Sequence, residues 1–429
     1  MRRTISRRRF LHGVVATGLT VVTASCADSD SREVRSDAPR AEPAQPTVTP
    51  MVQALNSFAA ELHRQLALRA GNLASSPYAV AISLAQARTG AKGSTRAELD
   101  RVLHTDPDTD FDRGMSTLAS LLALRSGERS SDVRRGAVDL RAAGSLWVQL
   151  GTDPHEPFLD ELARYYDAGL HSVDFRSKPE KARAVINRWA HSVAGEEVGD
   201  LLPRGGISEL TRFVVSSAAS VRAPWLTRFD PQRTRLGPFR TDDGRITKVP
   251  LMTTTQAEGC RVGHGPGWEA VLLPYLGGEL AMIVVLPEPD SFETFEQTLS
   301  GDTLADLVGS LRPARIELVM PRFSVATSVD LERHLVALGL RSAFAEEADF
   351  SGITDDEQLS ISRAAHQVSA GADEQGTNAA AITVLRPPSG RPPEPVGQTI
   401  TVDRPFLFFV TDLGTGLVLQ IGRVVDPSG

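Results

Sequence analysis

The sequence predicts a single α+β domain. Helical periodicity dominates the first half of the chain, and strand-like runs concentrate after residue 213, an order that favours α+β over a regularly alternating parallel sheet. Composition agrees: of 429 residues, 41% are hydrophobic and 23% charged, which is enough apolar material for a packed core and too much charge for a membrane bundle.

Leu55, Phe58, Leu62 and Leu66 recur at three- and four-residue steps, placing one apolar stripe on a helix over 51–70. Ser76 caps a second helix with Pro77 in its first turn; Val80, Leu84 and Ala87 face inward, and Gly90 and Gly93 mark its end. Further helices are expected at 94–103, 113–125, 157–168, 179–194 and 330–338. Strands are expected at 213–222, 268–275, 279–286, 315–323, 361–370, 405–411 and 416–424, with Gly277-Gly278 as a hairpin signal.

Three segments follow from this reading. Residues 1–26 pass from an arginine cluster through a short, weakly apolar stretch, Leu11 to Val22, to the small-residue site Thr23-Ala24-Ser25-Cys26. That is a signal-peptide pattern, too short to span a bilayer stably. Ser6-Arg7-Arg8-Arg9-Phe10-Leu11 resembles a twin-arginine export signal, and Cys26 is the candidate lipidation site of a lipoprotein. The protein is therefore expected to be exported, to the extracellular side or the cell-envelope surface. Residues 27–50, dense in Asp, Ser, Arg, Pro and Ala, are expected to be a disordered tether. The domain is expected at 51–429.

The formal net charge of -7 becomes -12 once the five arginines of residues 1–26, which carry no acid, are removed. An acidic body argues against nucleic acid as a partner and leaves the membrane only an N-terminal lipid. Two cysteines, Cys26 and Cys260, cannot form a disulfide framework or a cysteine metal site, and the nine histidines lack ligand spacing. No nucleophile elbow, phosphate loop, zincin helix or dinucleotide fingerprint occurs, so no cofactor and no metal is expected and an enzyme is disfavoured. Gly263 to Gly267 reads as a turn.

An ordered set of motifs resembles the serpin family across 51–429. It begins with Asn72 to Pro77 and Gly90-Ala91-Lys92-Gly93-Ser94-Thr95, and continues with Ile186 to Trp189, Trp225 to Phe229, Leu273-Pro274-Tyr275 and Pro321-Arg322-Phe323. Ala348-Asp349-Phe350-Ser351-Gly352, His366, Arg404-Pro405-Phe406-Leu407 and Gly422-Arg423-Val424 close it. The resemblance implies helices packed on mixed sheets, an exposed reactive-centre loop and, as partner, an extracellular serine or cysteine protease. The protease would be trapped once, as an acyl complex, by insertion of the cleaved loop into the main sheet. A monomer is expected.

Asp373-Glu374-Gln375-Gly376-Thr377-Asn378-Ala379-Ala380-Ala381-Ile382-Thr383 resembles the family's hinge. Residue chemistry fits. As a strand, Thr377, Ala379, Ala381 and Thr383 share one face, all small and uncharged, and can slide between packed strands where a charge would arrest entry; Gly376 is expected to be the pivot. Taken alone, Asn378 to Ala381 reads equally well as the start of a surface helix; within the ordered matches the hinge reading prevails. Counting from Gly376 along the family's loop puts the reactive bond near Gly390-Arg391, aligning Pro392-Pro393-Glu394 to the family's downstream segment moves it to Ser389-Gly390, and Leu385-Arg386 is a third candidate. The small residues suit an elastase-like or subtilisin-like pocket, and Arg386 or Arg391 a trypsin-like one, although each precedes a proline. Pro387 and Pro388 are expected to weaken the far end of an inserted strand.

Ser76, His366 and Arg322 match positions where the family's sheet opens, and Arg322 is expected to pair with Glu374. Ala79 and Ser217 replace a usual serine and asparagine, so lost hydrogen bonds and a leakier sheet are expected; for His366 a satisfied core histidine is the alternative. The competing function is a serpin-fold surface binding protein, or a protease substrate, without inhibitory action.

Overall fold

The computed structural model describes residues 31–43, 48–105, 110–131, 134–256, 259–378, 382–384 and 397–428. The chain runs β1 (Ser31–Val34), α1 (Thr49–Leu66), β2 (Leu73–Ser75), α2 (Pro77–Thr89), α3 (Gly93–Val102) and α4 (Phe111–Ala123) into β3 (Gly127–Ser130), β4 (Arg134–Gln149), α5 (Glu156–Tyr166), β5 (Leu170–Val173) and α6 (Pro179–Ala194). Then come β6 (Phe213–Pro224), β7 (Arg235–Arg240), β8 (Ile246–Gln256), β9 (Arg261–Gly265), β10 (Trp268–Pro274), β11 (Leu280–Pro287), α7 (Phe292–Gln297) and α8 (Gly301–Ser310). β12 (Arg312–Pro313), β13 (Ile316–Pro321), β14 (Phe323–Asp330), α9 (Glu332–Ala337), β15 (Ile361–Ala372), β16 (Gly376–Thr377), β17 (Ile382–Val384), β18 (Gln398–Thr401), β19 (Phe406–Asp412) and β20 (Val418–Val424) follow.

The main sheet has the order β1-β5-β4-β6-β15-β14, the second β12-β9-β10-β11-β19-β20-β2, and the third β18-β13-β8-β7. This is the α+β architecture expected. Apolar faces of the main and second sheets share one core, and α2 lies within it, buried along nearly its whole length. Its N-terminus is fixed as the sequence predicts: the Ser76 hydroxyl accepts from the Ala79 N–H. Gly144 of β4 admits the helix closely, since a Cβ there would lie 2.7 Å from the Ser83 backbone.

Three expectations need correction. Residues 31–43 are not a free tether. β1 pairs antiparallel with β5, Arg35 and Ser36 bond Asp167 and Asp160, and the Ala41 N–H donates to Arg164 O. The stretch expected as one strand over 315–323 is two, β13 ending at Pro321 and β14 starting at Phe323. Gly263 to Gly265 belong to β9, and only Pro266 and Gly267 make the turn into β10.

Candidate functional site

β6 and β15 lie side by side and parallel, from Phe213 opposite Ile361 to Ser220 opposite Ser369. Each has an antiparallel neighbour on its other side, β4 and β14 respectively. At its upper end β15 leaves β6, turns over Asp373 to Gln375, and returns as β16, with Gly376 opposite Pro224 and Thr377 opposite Ala223, antiparallel to β6. The expected hinge residues therefore sit at the mouth of the β6–β15 seam.

The turn is held tightly. The Asp373 carboxylate accepts from the N–H groups of Gln375 (2.7 Å) and Gly376 (2.9 Å). Trp225 donates its backbone N–H to Gln375 O and its indole N–H to Asp373 O (2.8 Å). The Trp225 ring stacks on Tyr275 at 4.7 Å, and the Tyr275 hydroxyl meets Thr377 Oγ1 at 2.5 Å. Thr377 is wholly buried. Gly376 is required here for a reason other than the pivot expected: its φ lies outside the left-handed region, and a Cβ would come within 2.1 Å of Ala223 O. Its value is close approach of two backbones.

Glu374 is buried and bidentate to Arg322 Nη2, at 2.6 and 2.8 Å, and also accepts from the Thr234 hydroxyl at 2.7 Å. Burial works against charging this carboxyl, but the hydrogen bonds from Arg322 and Thr234 outweigh it and hold its pKa below the usual range. The pair expected from sequence is therefore present, and it is more than a surface ion pair.

Lower down the seam, His366 of β15 faces Ser217 of β6. His366 Nε2 accepts the Ser76 backbone N–H at 2.9 Å, which makes Nδ1 the protonated nitrogen and the donor to Ser217 Oγ, also at 2.9 Å. Ser76 Oγ donates to Leu419 O at 2.7 Å. Burial pushes the His366 pKa down to about 3, so the ring is neutral. The loss of hydrogen bonds expected from Ser217 is not what the structure shows: both ring nitrogens are paired. The shorter serine reaches His366 directly because the parallel register sets the two residues opposite each other.

The structure thus brings together Ser76 with His366, and Arg322 with Glu374, Gly376 and Thr377. Thr383 lies in β17, away from the seam. Ala379, Ala380, Ala381, Ser389, Gly390, Arg391 and Cys26 lie outside the described residues. Sequence reasoning placed Trp225 and Tyr275 in the ordered motifs and Asp373 in the hinge run, but gave none of them, nor Thr234, a role at the site. The available signal was weak: buried Trp and Tyr need a partner for their polar ends.

A main sheet with a parallel central seam, a strand turned back antiparallel at its mouth and a polar contact across its middle define a serpin-type α+β fold. The chain belongs to the serpin family: the family described as Serpin (serine protease inhibitor) matches residues 53–427. An uncharacterised serpin-like protein of Thermococcus kodakarensis is 33% identical over 385 residues, covering 88% of this chain and 86% of its own. The bovine leukocyte elastase inhibitor is 30% identical over 371 residues, covering 83% and 94%. The fold is shared with the thermophilic serpin tengpin in its native state, with a TM-score of 0.80, 22% identity and 92% and 100% of the two chains covered. Uncleaved ovalbumin gives a TM-score of 0.75 at 23% identity, with 88% and 100% covered. The family is one of protease inhibitors rather than catalysts.

Proposed function

We propose that this protein is exported and, as a monomer, inactivates a serine or cysteine endopeptidase by offering its loop as substrate. The protease nucleophile attacks the scissile carbonyl, an ester or thioester forms as the peptide C–N bond breaks, and the new amine leaves with the C-terminal side. The loop then enters the β6–β15 seam faster than water hydrolyses the acyl bond, and the protease is carried with it. All the acyl chemistry is the protease's own, and it requires no cofactor from this chain.

One observation carries this reading: Gly376 and Thr377 already run antiparallel to β6 at the top of a parallel pair. A strand continuing downward would exchange one parallel ladder for two antiparallel ones, which are more stable per residue. Continuing the observed register sets Asn378 opposite Arg222, Thr383 opposite Ser217 and Pro387 opposite Phe213. The first proline then meets Phe213, the first residue of β6 and the far end of the seam, so it interrupts only the end of the inserted strand. Thr383 arrives where Ser217 and His366 now touch, and its hydroxyl can replace the bond it breaks. In this register Thr377, Ala379, Ala381 and Thr383 face inward, on the side where Thr377 is already buried.

Ser389, Gly390 and Arg391 are the proposed cleavage positions, with elastase-like or subtilisin-like proteases favoured and trypsin-like ones the other class to try. Incubation with one protease of each class, followed by denaturing gels, tests the proposal. A denaturation-resistant adduct is expected. Complete clipping with no adduct from any of the three rejects inhibition in favour of a substrate or binding protein, the reading that Pro387 and Pro388 favour.

A further inference from the structure

β4 is longer than the sheet it serves. Its residues Asp139 to Val148 pair with β6, while Arg134 to Val138 project past the last paired residue, Arg222. On one edge of this overhang lies β3, with Ser130 opposite Arg135 and Arg129 opposite Gly136. On the other lies β17, with Ile382 opposite Gly136, Thr383 opposite Arg135 and Val384 opposite Arg134. The chain is thus paired to β6 at Gly376–Thr377 and to β4, the neighbour of β6 away from β15, at Ile382–Val384.

The platform is rigidly held. Arg125, just before β3, bonds Asp412 (2.6 Å) and Glu279 (3.1 Å), Arg129 bonds Glu279 from the other side (3.0 Å), and the Arg134 guanidinium donates to Leu226 O. Without β17, that edge of the overhang would present unpaired N–H and C=O groups, which an extended segment satisfies by adding a strand.

We propose that the β3–β4 hairpin is a docking edge for this chain's own loop, and that pairing with Ile382–Val384 keeps the loop out of the β6–β15 seam until it is cut. This rests on the reading of 376–383 as an insertion hinge. In the intact chain the docked strand is anchored at both ends, by β16 on one side and β18 on the other, so it must leave β4 all at once. A cut beyond Val384 frees one end, and the three-residue ladder peels residue by residue into the seam. Cleavage is thereby coupled to release.

Two cross-strand cysteine pairs test this in a chain carrying Cys26→Ser: Arg135→Cys with Thr383→Cys, and Arg134→Cys with Val384→Cys. Adjacent pairs in an antiparallel ladder alternate between the wider and the closer kind, so one of the two is the closer. Buried Cys260 does not compete. We expect at least one pair to form a disulfide in air. The oxidised protein, clipped beyond Val384, should melt like the uncut form, and reduction should raise its melting temperature. No disulfide in either chain, or full insertion while oxidised, overturns the proposal. Arg135→Pro removes a ladder donor and should shorten the lifetime of the uncut native form on warming by about tenfold, the equivalent of one net hydrogen bond. An unchanged lifetime overturns the restraining role. Crosslinking without any protease adduct would reject trapping and leave the docking edge standing; adducts without crosslinking would do the reverse.

Discussion

The top and the middle of the β6–β15 seam are held shut by different physics. At the top the contact is steric and aromatic: Trp225 on Tyr275, Thr377 under the tyrosine hydroxyl, and Gly376 against the Ala223 carbonyl with no room for a methyl group. There the hinge is already seated. In the middle the strands meet directly, and besides their backbone ladder a neutral histidine links β15 to β6 at Ser217 and to α2 at Ser76. On the proposed mechanism, entry would be guided from above and resisted below, where each bond is weak and separable.

Thr377→Arg should break the comparison most severely. A guanidinium cannot occupy the wholly buried site under Tyr275, so adduct formation should disappear and every protease encounter should end in clipping, as read on denaturing gels. Retained adducts would reject insertion from the top. Gly376→Ala comes next: forcing a Cβ against Ala223 O should cost about 2 kcal/mol and lower the melting temperature of the uncut form. A neutral result would show that the hinge is not seated as described. Ser217→Ala removes the Nδ1 partner of His366 and should destabilise the uncut form by about 1 kcal/mol in urea titration. The clipped, inserted form, in which Thr383 replaces Ser217, should lose less.

The smallest effect is on pH. His366 is held near pKa 3 in the folded protein against 6.5 ordinarily, so the unfolded chain binds the proton first. Its contribution is present above about 6.5 and is lost as pH falls toward 3, so stability should drop by somewhat less than about 1 kcal/mol between pH 7 and pH 6. His366→Asn should flatten that part of the profile; an equal slope in the variant would assign the dependence elsewhere.

Much of this fold was legible because local patterns decided it. Ser76 and Pro77 wrote the start of α2, and the stripe from Leu55 to Leu66 wrote α1. β4 was not legible. Its sequence mixes arginines, alanines and glycines without alternation, and its extended form comes from β3, β6, β5 and β17 rather than from propensity. β1 was hidden for the same reason, since Ser31-Arg32-Glu33-Val34 is a polar edge strand made by its neighbour. At the site, the order of motifs located Glu374, Gly376 and Thr377, but not why each is needed. The Ala223 carbonyl that excludes a side chain at 376, and the Ser217 hydroxyl that reaches His366, are consequences of register, which only pairing between distant segments sets.

β1 also changes the scale on which this molecule acts. If Cys26 carries the lipid that its sequence setting leads us to expect, the distance to the first docked residue, Ser31, is at most about 18 Å, where a fully extended 27–50 would have allowed about 80 Å. The inhibitor would then work as a fixture on the envelope, screening only what comes within a few nanometres of the surface, rather than sweeping the surrounding fluid on a long leash.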